Sequence, residues 1–323
     1  MNMNSFSRAE EVIRQQIVDG IMPCAVMAAR QGNEIRISAF NTQAKPEPAL
    51  RSRIFLLASI SKSITGTLFA VLHENGIIRF TDRLCDYLPE MTDSCDLDTT
   101  IGNVFTHCTG YSTGVDLIDR SRFTPEDYYL KILRDGRSCP PRTGMRYSTM
   151  TYQFLSAIIY RVTGLTLIES LKTRIFDQAG MINTSFNPDP GQCIEVVDGV
   201  PFEALAASEM AGAGLWSTLD DLLNFATSLM SGKLISTDTL REITAVRDIL
   251  PMLDFPGTDS RRTWGWNKAE VFPEQPESGF YHGGATGNLL WLDPEADFTF
   301  ILLSNRWGCG NEHSFSILKN FYI

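Results

Sequence analysis

Ser59-Ile60-Ser61-Lys62 sets a hydroxyl and an amine at positions i and i+3. At the start of a helix that spacing puts both groups on one face, within hydrogen-bond reach. A serine hydroxyl is a poor nucleophile until a base takes its proton, and a desolvated lysine can serve as that base. The first turn of a helix adds partial positive charge beside a developing alkoxide. The chemistry suggested is acyl transfer through a covalent serine ester. Spacing alone also admits a plainer reading, with Ser59 as a helix cap. The same pattern recurs at Ser316-Ile317-Leu318-Lys319, late in a terminal helix with no accompanying motif, where surface or packing roles are expected.

A second nucleophile signal is Gly110-Tyr111-Ser112-Thr113-Gly114, which fits the G-x-S-x-G elbow. An elbow needs a buried strand before it and a helix after it. Here Asn103-Val104-Phe105-Thr106-His107-Cys108 interrupts its apolar run with polar residues, so a turn explains the segment better. The histidines at 73, 107, 282 and 313 form no H-E-x-x-H, and no metal site is expected. Walker A and G-x-G-x-x-G loops are lacking, so no cofactor is expected either. Asp220-Asp221 reads as a solvated helix start rather than a carboxylate dyad. Trp264, Trp266 and Trp291 read equally as cleft lining or as core packing.

These residues must be positioned by elements visible in the hydrophobic pattern. Val12, Ile13 and Ile17 give residues 8–19 a helical spacing. Residues 24–29 and 35–40 read as short strands around the turn-forming Gln31-Gly32-Asn33. Residues 59–75 repeat apolar positions at helical spacing, with Gly76 as the C-terminal stop. From about 80 to 230 the pattern is helices and loops, clearest at 153–162 and 219–229. Residues 289–292 and 298–303 read as buried strands joined through Asp293-Pro294-Glu295, and a last helix is expected over 312–322. Strands at both ends with helices between predict an α/β fold. Residues 1–78 and 230–323 would build a discontinuous sheet domain, residues 79–229 an inserted all-helical one, with the cleft between.

The chain has 323 residues, 43% of them hydrophobic and 20% charged, which suits a globular protein with a substantial core. Its formal net charge of −10 disfavours nucleic acid as a partner, since gripping a phosphate backbone takes clustered Lys and Arg. No run of about 18 apolar residues predicts a membrane span. The N-terminus lacks the apolar core of a secretory signal. The seven cysteines are scattered without a C-x-x-C pair, so free thiols in a cytoplasmic protein are expected.

Three longer segments carry a family resemblance. They are FLLASISKSITG at 55–66, PPRTGMRYSTMTYQFLSAIIYRVTG at 140–164 and YHGGATGNLLWLDPEADFTFILLSNR at 281–306. Shorter likenesses lie in VFTHCTG at 104–110, AGAGLWSTLDDLLNFA at 211–226 and TWGW at 263–266. Together, in this order, they resemble the class C β-lactamase-like serine hydrolases. That family also holds penicillin-binding proteins, family VIII esterases, D-aminopeptidases and acyltransferases. The resemblance spans nearly the whole chain. It implies the β-lactamase/penicillin-binding-protein-like fold, an antiparallel sheet flanked by helices with an inserted helical domain.

By that resemblance Ser59 is the nucleophile, Lys62 its proton partner and Tyr147 the catalytic tyrosine. A nearby ammonium favours phenolate, which could accept the serine proton. Lys62 and Tyr147 would titrate as a coupled unit, so the sequence leaves open which is the base. The N–H groups of Ser59 and Ala285 would form the oxyanion hole. Thr149, His282, Gly283 and Gly284 would meet the substrate, the two glycines letting it approach the backbone.

Two departures narrow the substrate. His282 stands where relatives that process β-lactams or peptidoglycan usually carry lysine, and a neutral histidine attracts a carboxylate weakly. Thr149 replaces an asparagine, leaving one short hydroxyl in place of an amide. The expected activity is an acyl-enzyme reaction on a small ester, amide or β-lactam-like molecule, with esters favoured. Acyl transfer, cleavage of D-amino-acid amides or peptidoglycan peptides, and a non-turnover acyl sensor are the alternatives. The oligomeric state is not legible.

Overall fold

The computed structural model describes residues 3–91, 98–111, 125–199, 201–206, 209–247, 249–254 and 257–323. Its strands are β1 (Ala25–Gln31), β2 (Glu34–Phe40), β3 (Phe55–Leu56), β4 (Trp216–Ser217), β5 (Phe280–Gly283), β6 (Leu289–Asp293) and β7 (Phe298–Leu303). Five of them form an antiparallel sheet in the order β2-β1-β7-β6-β5. Strands from the two ends of the chain meet at its centre, where Val26 pairs with Leu303 and Gln31 with Phe298.

The sheet is covered on both faces, which is why its inner strands read as unbroken apolar runs rather than alternating ones. On one face Val26, Ala28, Leu290, Leu292, Ile301 and Leu303 join the main core. On the other, Ala25, Met27, Leu289, Trp291, Phe300 and Leu302 form a second core. Alternate residues point to opposite faces, so each strand feeds both.

The first helix, α1 (Met3–Val18), closes the second core. Phe6, Ala9, Ile13 and Ile17 recur at three- and four-residue intervals and are all buried. The last helix, Glu312–Leu318, packs beside α1 and continues as a tighter 3-10 turn over Lys319–Phe321. Leu219–Met230 lies against β1 and β7 on the opposite face. Thr218 starts that helix by accepting the Asp221 N–H at 3.3 Å.

The second helix, α2 (Ser61–Glu74), runs through the main core with Ile64, Leu68, Phe69 and Leu72 fully buried. Gly76 follows at φ +69°, the left-handed conformation that ends many helices. The core continues from the sheet through α2 to Ile158 of helix Gln153–Thr163 and Leu171 of helix Leu167–Leu171. No single helix among the described residues is long and apolar enough to cross a membrane. The six described cysteines are free.

Candidate active site

The chain reaches Ser59 through the two-residue ladder of β3 with β4, where Leu56 pairs with Trp216. Ala58 then takes φ +48°, an uncommon value for a residue with a Cβ. A 3-10 turn over Ala58–Ile60 follows and leads into α2. Ser59 thus sits at the first turn, where backbone N–H groups have no acceptor one turn back.

The polar residues at the start of α2 are all buried, and each is tied to another segment. Ser61 Oγ accepts the Leu215 N–H at 3.1 Å, and Ser63 Oγ donates to Gly265 O at 2.7 Å. Thr65 Oγ1 donates to Ala211 O at 2.8 Å. Gly66 and Gly265 approach main chain to main chain: a Cβ on Gly66 would lie 3.0 Å from Gly265 Cα and 3.1 Å from Trp264 O. Gly265 itself has φ +97°, so glycine is required there twice over.

Lys62 is fully buried within this frame. Its Nζ donates to Ser59 Oγ at 3.2 Å, Thr149 Oγ1 at 3.1 Å and Gly212 O at 2.6 Å. An ammonium has three N–H bonds to give, and these acceptors share them with the Tyr147 phenol. Gly212 can come this close because it has no side chain; a Cβ there would stand 3.2 Å from Thr149 O and from Tyr152 Cβ. The cation also faces the rings of Tyr147 and Tyr152, at 4.8 and 5.2 Å from their centroids.

Tyr147 arrives from a stretch 88 residues further on, and its hydroxyl lies 2.8 Å from Ser59 Oγ. Its ring rests 4.3 Å from that of His107 and under the guanidinium of Arg262 at 5.1 Å. Burial by itself would raise the phenol's pKa. The charges of Lys62 and Arg262, with hydrogen bonds from Lys62 and Ser59, outweigh burial and hold it below the ordinary tyrosine value.

His107 is buried, with φ +58°, and its Nδ1 accepts the Ser148 N–H at 3.2 Å. It therefore carries its proton on Nε2 and fixes the backbone next to Tyr147. Burial first, then the charges of Arg262 and Lys62, push its pKa well below the usual imidazole range. His282 is also held neutral, by burial and then by Lys62 and Arg262. Its Nδ1 lies 2.8 Å from the Gly283 carbonyl, which makes Nδ1 the protonated nitrogen.

The His282-Gly283-Gly284 segment leaves edge strand β5 beside Ser59. A Cβ on Gly284 would stand 2.5 Å from Leu57 O, immediately before Ala58 and Ser59. A Cβ on Gly283 would meet the Asn311 side chain at 2.2 Å. The turn after them is pinned to β3, because Thr286 Oγ1 and Asn288 Nδ2 both donate to Leu56 O, at 3.2 and 2.7 Å. The Ala285 carbonyl accepts from Gly308 N at 2.7 Å, while its N–H donates to no acceptor among the described residues.

Ser59, Lys62, Tyr147 and Thr149 therefore lie together, with His282, Gly283, Gly284 and Ala285 along the neighbouring edge. Sequence reasoning passed over Arg262, His107, Tyr152 and Gly212. All four had an available signal: His107 lies inside VFTHCTG, Gly212 inside AGAGLWSTLDDLLNFA and Tyr152 inside the 140–164 segment, while Arg262 directly precedes TWGW.

Other sequence features resolve away from the site. Ser316 Oγ donates to His313 O at 2.7 Å and Lys319 is exposed, a local helix role. Of the elbow segment, Ser112, Thr113 and Gly114 lie outside the described residues. The solvated-pair reading of Asp220-Asp221 holds for only one member. Asp220 is exposed and paired with Arg51 at 2.9 Å. Asp221 is buried, accepting from Asn183 N and Thr184 Oγ1 at 2.7 Å each, since these donors replace water at the helix start. The tryptophans are core residues: Trp264 stacks on Phe80 at 4.1 Å, Trp266 packs on Phe280 at 4.9 Å, and Trp291 is fully buried.

The Beta-lactamase family model matches residues 9–314, and the chain belongs to that family. A β-lactamase of Escherichia coli (strain K12) is 24% identical over 239 residues, 72% of this chain and 62% of its own. The chain spans only about half to three fifths of the first curated relatives it matches, 48% of one and 62% of another. Among solved structures, "EstCE1, a hydrolase with promiscuous acyltransferase activity" superposes with TM-score 0.79 at 19% identity, covering 99% of each chain. A family VIII carboxylesterase superposes with TM-score 0.80 at 17% identity, covering 98% of this chain and 97% of its own. The fold is thus of the β-lactamase/penicillin-binding-protein type, as the motifs implied.

Proposed function

We propose that this protein is a serine hydrolase that forms an acyl-enzyme at Ser59 on a small ester or amide, with esters preferred. The observation that carries the reading is convergence: the Tyr147 hydroxyl and the Lys62 ammonium both reach Ser59 Oγ, at 2.8 and 3.2 Å.

Tyr147 serves as the base, because the charges of Lys62 and Arg262 and the hydrogen bonds from Lys62 and Ser59 favour its phenolate form. In phenolate form Tyr147 takes the Ser59 proton as Oγ attacks the substrate carbonyl carbon. The carbonyl electron pair moves onto oxygen, where the Ser59 and Ala285 N–H groups receive the negative charge. When the tetrahedral species collapses, the bond to the leaving atom breaks and Tyr147 returns the proton to that atom. Water then attacks the acyl-enzyme by the same route in reverse, with Tyr147 again as base.

Esters are preferred for two local reasons. His282 is neutral, and the Thr149 hydroxyl is engaged by Lys62, so neither offers the charge or amide group that would grip a peptide. Acyl transfer to an alcohol in place of water is the second reading. It is supported by the promiscuous acyltransferase activity of EstCE1, a hydrolase with the same fold.

The test uses purified protein against p-nitrophenyl esters, nitrocefin and D-amino-acid amides, with intact-mass detection of the acyl adduct. Ester turnover with an adduct that disappears in Ser59→Ala is expected. Turnover unaffected by that substitution would sink the assignment. An adduct that forms once without release would make the protein an acyl sensor.

A further inference from the structure

Two cations flank Tyr147, and only one is used up. Lys62 has committed its N–H bonds to Ser59, Thr149 and Gly212. Arg262 is partly exposed, lies 5.1 Å from the Tyr147 ring and makes no side-chain hydrogen bond or ion pair among the described residues. Some other arginines are matched by carboxylates, Arg51 by Asp220 at 2.9 Å, Arg161 by Glu90 at 2.8 Å and Arg146 by Asp254 at 3.6 Å, but among the described residues Arg262, which lies against Tyr147, is not. The guanidinium of Arg262 has five donors in a planar fork and spends none on the described residues.

Surrounding charge gives the same sign. The largest charge effects on Tyr147 come from Lys62 and Arg262, and those on His282 from the same two. In a chain of formal net charge −10, this is a local positive site in an acidic protein.

We propose that Arg262 is a specificity residue that binds a carboxylate on the leaving-group side of the substrate. The placement rests on the proposed hydrolase mechanism, in which Tyr147 hands its proton to the departing atom. Arg262 lies against Tyr147, whereas the Ser59 and Ala285 N–H groups are assigned to the carbonyl oxygen. A leaving group that receives its proton from Tyr147 therefore extends toward the guanidinium. A carboxylate there takes two parallel N–H···O bonds. His282, being neutral, does not compete for it.

The test compares 4-nitro-3-(butanoyloxy)benzoate with 2-nitrophenyl butyrate, two esters alike except for a carboxylate on the leaving group. Arg262→Gln should lower the ratio of their kcat/KM values roughly 10- to 100-fold. Arg262→Lys should recover part of it. Taking a ratio cancels any general effect through Tyr147. In parallel, calorimetry follows the released product, 3-hydroxy-4-nitrobenzoate, binding to Ser59→Ala with and without Arg262→Gln. Weaker product binding on loss of Arg262, even if neither ester is hydrolysed, would uphold the carboxylate site while removing the hydrolase reading. Hydrolysis with an unchanged ratio and unchanged product affinity would overturn the inference and leave the hydrolase reading intact.

Discussion

Tyr147 stands with its hydroxyl 2.8 Å from Ser59 Oγ while its ring is flanked by two cations, Lys62 at 4.8 Å and Arg262 at 5.1 Å. Tyr147→Phe keeps the ring, and with it the contacts to His107 and the cations, and removes only the proton-handling oxygen. The expected result is a loss in kcat of about 10²- to 10⁴-fold with KM little changed and an unaltered circular dichroism spectrum. Turnover close to wild type would remove Tyr147 from the mechanism.

The pH profile follows from the same environment. The phenol lies below its ordinary value of 10.0, and in the proposed mechanism the phenolate is the active form, so kcat should rise with pH and level off before pH 10. Removing the Arg262 charge weakens the stabilisation of phenolate. In Arg262→Gln the rising limb should therefore move to higher pH. A limb that stays in place would show that another group sets it.

Thr149 supplies one of the acceptors around the fully buried Lys62 amine. Thr149→Val has nearly the same shape and no acceptor, which removes one hydrogen bond from Lys62. A stability loss of about 1–3 kcal/mol is expected, visible as a lower Tm and denaturant midpoint. Thr149→Ser restores the hydroxyl and should recover most of it.

Gly283 and Gly284 are adjacent yet should respond unequally to alanine. At Gly284 the new Cβ meets main chain, Leu57 O at 2.5 Å, two residues before the nucleophile. Nothing there can turn aside, so the strand must pull away from the Ala58–Ser59 turn. A loss of one oxyanion contact corresponds to about 10²- to 10³-fold in kcat. At Gly283 the obstacle is the Asn311 side chain, which can rotate at the cost of its 2.8 Å bond to Asn288 O. Gly283→Ala should cost stability more than rate. Steady-state kinetics and thermal melts on the two variants separate the cases.

Different kinds of information were present in the sequence for different parts of this arrangement. Ser59 and Lys62 could be paired from spacing, because a helix fixes where position i+3 lies. The strands 289–292 and 298–303 were visible as apolar runs because both sheet faces are covered. Tyr147 is 88 residues away from Ser59, and only resemblance to a known motif joined them. Arg262, Gly212 and His107 had no periodic signal. Each matters through a contact between irregular segments, a carbonyl, a ring face or a guanidinium, and such contacts exist only after packing. Asp221 illustrates the reverse error, since an acidic pair at a helix start looked solvated while Asn183 and Thr184 were waiting to bury one member.

Between α2 and the segment around Gly265 there is no cushion of side chains, since Gly66 and Gly265 touch backbone to backbone. A wall built that way cannot retreat by swapping a rotamer or trimming a methyl group. The start of α2 is therefore held at a fixed distance from the Gly265 segment, and Lys62 with it, since a Cβ on Gly265 would stand 3.2 Å from Lys62 O. A methyl group added at either glycine should be felt at the lysine, because nothing in between can absorb the displacement.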